Sequence, residues 1–107
     1  MKKKRSEKLQ NLLEVIKVCV IKGNYTFLSH ANERRIERGI DLPTILDVLM
    51  TGYEEKRKTT FDEKRNNWKN AIRGKTLDEA DVRVIVTVEN DDMLIITVMY
   101  VGVVDEK

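Results

Sequence analysis

The chain has 107 residues, of which 41% are hydrophobic and 36% are charged, and its formal net charge is +2 at pH 7. This length is too short for two cores of ordinary size, and no apolar run approaches the roughly 20 residues needed to cross a bilayer. We therefore predict one globular domain without a membrane-spanning helix.

The lone cysteine, Cys19, stands among Val18, Val20 and Ile21, which predicts a buried thiol. Neither an intramolecular disulfide nor a metal site is expected, and no cofactor is expected. The N-terminal segment lacks the uninterrupted apolar stretch of a secretion signal. Together these features predict a protein of the reducing cytoplasm.

Charge is more segregated along the chain than the net value suggests. Residues 1–8 hold five basic side chains and one acidic, residues 56–75 hold eight and two, and residues 78–107 hold two and eight. Residues 1–8 are predicted to be a flexible basic tail ahead of a single domain over residues 9–107. The other two regions are either solvated faces or a strip that binds nucleic-acid phosphates and an acidic end for a different partner. The candidate phosphate-binding residues are Lys56, Arg57, Lys58, Lys69 and Arg73.

The first predicted helix covers residues 7–21. Its apolar residues recur at helical spacing, and Gly23 can adopt the left-handed conformation that ends many helices. These apolar residues are Leu9, Leu12, Leu13, Ile16 and Val20. A short β-prone run over residues 25–28 follows.

Two short helices come next. Ser29 offers an N-cap oxygen to a helix over residues 30–38, which Gly39 stops. Asp41 begins a third helix with an apolar face, which ends before Gly52. Helical periodicity is lost beyond that glycine.

The rest of the chain is predicted to form strands over residues 53–59, 68–73, 82–89 and 93–101. The last two are the most apolar and are joined by a turn, so they should form the centre of the sheet. The resulting order, α-β-α-α-β-β-β-β, predicts an α+β fold with a small, mostly antiparallel sheet of four or five strands and helices packed on one face.

His30, Arg34 and Arg38 lie four residues apart from one another in the second predicted helix, so they should share one side of it. At the start of a helix, both the macrodipole and Arg34 disfavour the charged imidazolium. A neutral imidazole is the form that a general base requires.

This combination fits RNA cleavage in which the ribose 2′-hydroxyl attacks the adjacent phosphate. His30 would remove the proton, and Arg34 or Arg38 would stabilise the phosphorane. Tyr100 and a lysine of the basic strip are candidates for the acid that protonates the leaving oxygen. With one histidine in the chain, a mechanism with two imidazoles is excluded.

A structural role is the alternative for each of these residues. His30 would then close the start of the helix, and the arginines would form ordinary surface ion pairs with Glu33 and Glu37. Trp68 and Tyr53 are candidates for stacking on bases, although a lone tryptophan on a small sheet is more often part of the core.

The motif His30-Ala31-x-Glu33-Arg34, followed by Arg38-Gly39-Ile40 and a terminal strand over residues 96–100, resembles the domain-of-unknown-function 4258 family over about residues 24–102. His30, Glu33, Arg34 and Arg38 occupy its motif positions. That family is grouped with RelE- and BrnT-like toxins, which implies a small sheet with helices on one side and an antitoxin partner.

The resemblance therefore implies the toxin of a type II toxin–antitoxin pair, bound by a cognate antitoxin that is a small DNA-binding protein. The activity it implies is cleavage of mRNA, either free or on the ribosome. The alternative is a non-catalytic domain that binds nucleic acid or protein.

Overall fold

Three helices and six strands follow one another along residues 5–101, the part of the chain that the computed structural model describes. The helices are α1 (Leu12–Lys22), α2 (Ser29–Glu37) and α3 (Leu42–Thr51). The strands are β1 (Tyr25–Phe27), β2 (Tyr53–Glu54), β3 (Thr60–Asp62), β4 (Asn67–Lys75), β5 (Asp81–Glu89) and β6 (Asp92–Val101). A 3-10 turn, Lys56–Lys58, lies between β2 and β3.

The strands form one sheet in the order β1-β6-β5-β4-β2, with β3 also paired to β4. Only β1 and β6 run parallel, and the other described pairs are antiparallel. The predicted α+β fold with a mostly antiparallel sheet is confirmed, and β5 and β6 are interior strands as expected. The sheet has six strands rather than four or five.

The strand predicted over residues 53–59 is wrong beyond its first two residues. After β2 the chain turns at Glu55, whose carbonyl oxygen accepts hydrogen bonds from the amides of Lys58 and Thr59. The Glu55 side chain is meanwhile held by Arg73 and Arg83 of the neighbouring strands. The chain then returns as β3, which is the additional strand.

Helix α1 begins at Leu12, five residues later than predicted, because the preceding residues run along the β3–β4 hairpin. The indole Nε1 of Trp68 donates to the carbonyl oxygen of Ser6 at 2.9 Å. The ammonium group of Lys8 lies 2.7 Å from Glu54 Oε2. Residues 5–8 of the predicted tail therefore contact the sheet, and residues 1–4 lie outside the described part.

The ends of the other helices test the predicted caps. The Asp41 side chain accepts a hydrogen bond from the Thr44 amide at 3.0 Å, so the predicted start of α3 is confirmed. Ser29 is wrong as the N-cap of α2, because Leu28 occupies that position and Ser29 is already helical. Gly23 and Gly39 have φ angles of 73° and 70°, as expected where helices end.

All three helices pack on one face of the sheet around a single hydrophobic cluster. Alternate residues of β5 enter this cluster, and they are Val82, Val84 and Val86. A bulge in the β5–β6 pairing keeps Ile95 and Val98 in the same cluster. Cys19 is buried there, as predicted. No helix within residues 5–101 is long and apolar enough to cross a membrane.

Candidate functional site

Helix α2 brings His30 and Arg34 together on its exposed side. The guanidinium Nε of Arg34 donates a hydrogen bond to Nε2 of His30 at 3.3 Å, and its Nη1 lies 3.3 Å from Glu37 Oε1. In this bond the guanidinium of Arg34 is the donor and the imidazole nitrogen of His30 is the acceptor. The pair thus combines a proton acceptor with a cation that presents several N–H groups.

Arg38 lies at the C-terminal end of the same helix, but its side chain contacts the backbone of β6. Its Nη1 donates to the carbonyl oxygen of Val98 at 2.6 Å. β1 pairs with β6 only as far as Ile95, so Arg38 provides a donor to the edge of β6 beyond the end of β1. Its guanidinium therefore ties the end of α2 to the sheet, which the spacing along the helix did not indicate.

Tyr100 lies two residues after Val98 on β6, so both side chains project to the face that the helices cover. Val98 is fully buried, whereas Tyr100 is 40% exposed, which places the phenol at the border of the core. Glu33, the remaining motif residue, is exposed on α2. It takes no part in the ion pairs formed among residues 5–101.

The predicted basic strip does not form one surface. Lys56–Lys58 is exposed, and within the described residues none of these three side chains forms an ion pair. Lys69 is half-buried on β4, and Arg73 is engaged by two carboxylates. In the sheet order, β2 lies three interstrand spacings from β6, roughly 14 Å. The exposed turn Lys56–Lys58 and the His30–Arg34 pair therefore lie toward opposite edges of the sheet.

A charged network that the sequence did not reveal lies on the sheet face opposite the helices. Arg73 and Arg83 are register partners there, and Glu55 joins them through Arg83 Nε at 2.6 Å and Arg73 Nη1 at 3.1 Å. Arg73 also bonds Asp81, which accepts a second hydrogen bond from Lys75. Like charges directly opposite on adjacent strands are destabilising without a carboxylate nearby, but the register that pairs these arginines could not be read from the sequence.

This network lowers the pKa of both carboxyl groups. Hydrogen bonds from Arg83 and then Arg73 hold the pKa of Glu55 below its ordinary value, against the opposing effect of burial. Hydrogen bonds from Arg73 and Lys75 do the same for the pKa of Asp81. The charged forms of Glu55 and Asp81 therefore stabilise the folded state.

The depressed pKa values make stability depend on acid pH. A carboxyl group whose pKa is lower in the folded than in the unfolded state stabilises the fold above its unfolded pKa, about 3.9 for Asp and 4.3 for Glu. That stability is lost as the pH falls through the folded values. We expect the melting temperature to drop steeply below about pH 4, and Glu55→Gln to lower it at pH 7 while flattening that drop.

Thermal denaturation followed by circular dichroism between acid and neutral pH measures this effect. Glu79→Gln is the matched control, because Glu79 is exposed and lies outside the ion pairs formed among residues 5–101. If Glu55→Gln retained the acid dependence of the parent protein, the ion pairs of Glu55 with Arg73 and Arg83 would not stabilise the fold.

The comparison with known families bears on the α2 motif. Residues 27–100 match the family described as "Domain of unknown function (DUF4258)", over more than half of the chain. The chain belongs to this family. The resemblance drawn from the motif at His30 is thereby confirmed, and the family region runs from the end of β1 to Tyr100. A search of curated proteins found no match.

The family description names no activity, so the catalytic roles rest on the site itself. Within residues 5–101, no three His, Cys, Asp or Glu side chains are grouped so that they could hold a metal ion. The chemical groups brought together on α2 are an imidazole and a guanidinium, which suit proton transfer beside a phosphate.

Proposed function

We propose that this chain is the toxin of a type II toxin–antitoxin pair, with a RelE/BrnT-like fold, and that it cleaves mRNA in the cytoplasm. The observation that carries the proposal is the exposed hydrogen bond between Arg34 and His30. It joins a base to a phosphate-binding cation on the helix that contains the family motif. The partner in this proposal is a small DNA-binding antitoxin.

The pair supports the first step of ribose-assisted cleavage. Nε2 of His30 takes the proton of the 2′-hydroxyl while the 2′-oxygen bonds to phosphorus. Nε2 has a single lone pair, so the 2′-hydroxyl must first displace the Nε–H of Arg34 from it. The N–H groups of Arg34 are then free to bind the phosphorane oxygens as their charge increases.

The second step expels the 5′-oxygen, which must receive a proton, and leaves a 2′,3′-cyclic phosphate. The phenol of Tyr100 is the candidate acid, since it lies on β6 beyond the residue that Arg38 contacts. Arg38 is assigned the role of holding α2 against β6, so that the residues on the helix and Tyr100 keep a constant separation. Ribosome-bound and free mRNA are both candidate substrates.

A non-catalytic binding domain is the second candidate function. The observation that favours it is the exposed turn Lys56–Lys58, whose cations lie at the opposite side of the sheet from His30. In that case the chain would hold nucleic acid or a protein partner through the turn, and α2 would have only a structural role.

Induced expression separates the two functions. We expect growth to stop when the chain is expressed alone, and to continue when a small DNA-binding protein encoded beside it is expressed as well. Unchanged growth in cells that contain the soluble, folded chain alone would contradict the toxin and leave the binding domain.

A further inference from the structure

Tyr53 presents an open aromatic ring at the edge of the sheet. It lies on β2 and is 57% exposed. Trp68, the other aromatic residue considered for base stacking, is instead covered: its ring packs edge-on against Phe61, with the ring centroids 5.3 Å apart, and its Nε1 bonds Ser6. The ammonium group of Lys8 lies over the same indole at 5.7 Å. Of these two residues, Tyr53 is the more exposed.

Two shallow grooves meet at Tyr53. One, of about 510 Å³, is lined by Tyr53, Glu55 and the turn Lys56–Lys58. The other, of about 360 Å³, includes Arg73 and Lys75, which are both paired with Asp81 in the same lining. The cations that lie beside the ring without a carboxylate partner among residues 5–101 are therefore those of the turn.

The backbone holds Tyr53 firmly in this position. Gly52 precedes it, and a Cβ atom there would lie 2.5 Å from the carbonyl oxygens of both Arg73 and Val48. Glycine thus permits β2 to approach β4 closely, with Tyr53 in register with Arg73. The main chain that carries the ring is therefore already ordered before a ligand binds.

The charges of the groove suit a polyanion. The three cations of the turn are exposed and form no ion pair within residues 5–101, so they are available to phosphates. Glu55, the carboxylate in the same groove, is bonded to Arg73 and Arg83. Its negative charge is therefore compensated and does not repel a phosphate approaching the turn.

We propose that Tyr53 and the turn Lys56–Lys58 form a binding groove for single-stranded RNA. One unpaired base stacks on the Tyr53 ring, and the neighbouring phosphates bind the cations of the turn. The choice of RNA as the strand rests on the proposed function. The preference for a single strand rests on the ring, because the bases of a duplex are stacked on one another and cannot cover it.

Fluorescence anisotropy with a labelled oligouridylate of about 12 nucleotides, and with an RNA duplex of the same length, tests the groove. His30→Ala is the background for every variant, so binding is measured without cleavage. We expect the single strand to bind more tightly than the duplex. Tyr53→Ala should weaken single-strand binding about 5- to 150-fold, the range for removal of one stacked base, and leave duplex binding unchanged.

Three variants make the test specific. Tyr53→Phe should retain the affinity, since stacking uses the ring and not the hydroxyl. Leu77→Ala changes a fully exposed apolar side chain that lines neither groove, and should have no effect. The triple variant Lys56→Gln, Arg57→Gln, Lys58→Gln should reduce the slope of log affinity against log salt by about 0.7 for each phosphate that the turn no longer binds. Lys22→Gln, on α1, should leave that slope unchanged.

The groove would be refuted if Tyr53→Ala, at an unchanged melting temperature, bound the single strand as tightly as the parent does. It would also be refuted if the duplex and the single strand bound equally tightly. If Tyr53→Ala loses melting temperature, the triple variant decides, and an unchanged salt slope overturns the groove. If RNA binding depends on Tyr53 but expression of the chain does not stop growth, the groove is supported and the toxin is refuted. If expression stops growth but RNA binding does not depend on Tyr53, the toxin is supported and the groove is refuted.

Discussion

His30→Ala and Arg34→Ala are each expected to abolish growth inhibition while leaving the melting temperature and antitoxin binding close to those of the parent. A general base contributes about 10²- to 10⁴-fold to a rate, enough to turn a toxic nuclease into a tolerated one. The cost in stability should be small, because both side chains are exposed and their contact is a surface pair four residues apart, worth about 0.2–0.5 kcal/mol.

Two further substitutions on α2 sharpen this expectation. Arg34→Lys should also be impaired, because an ammonium group cannot reproduce the bidentate hold of a guanidinium on phosphate. Glu37→Gln removes the carboxylate that Arg34 contacts and leaves the Arg34–His30 bond in place, so it should remain toxic.

Growth assays and thermal denaturation on the same variants decide between a catalytic and a structural His30. If His30 were structural, His30→Ala would lose melting temperature together with toxicity. A stably folded His30→Ala protein that remained fully toxic would refute the catalytic assignment.

Val86→Asp is expected to prevent folding. Val86 is fully buried in β5 and faces the cluster beneath the helices. An unpaired carboxylate buried there costs several kcal/mol, against a typical unfolding free energy of about 5–15 kcal/mol. We expect the variant to be insoluble or to show no cooperative thermal transition by circular dichroism.

Val18→Asp provides the matched control, since Val18 is 47% exposed on α1 and the same substitution there leaves the carboxylate in water. It should melt within a few degrees of the parent. A soluble Val86→Asp protein with an unchanged melting temperature would refute the assignment of β5 to the core.

Local patterns were sufficient to predict most of the fold. The alternation of buried valines identified β5, and the Asp41 cap identified the start of α3, because both signals depend on neighbours within a few residues. The His30–Arg34 contact could be predicted for the same reason, since helical spacing alone brings the two side chains together.

Long-range contacts account for what the sequence did not predict. The end of β2 depends on Glu55, whose partner Arg83 lies 28 residues away. The late start of α1 depends on Trp68, 62 residues from Ser6. Arg38 has the same spacing along α2 as its neighbours, but it bonds Val98, 60 residues further on, so helical periodicity could not show its role.

Mapping of RNA 5′ ends after induced expression tests most directly whether the chain cleaves RNA through His30. Attack by the ribose 2′-hydroxyl leaves a 5′-hydroxyl on the downstream fragment. We expect new 5′-hydroxyl ends in mRNA with the parent chain, and none with His30→Ala or when the antitoxin is expressed as well. Growth arrest without new ends, or the same ends with a folded His30→Ala chain, would contradict it.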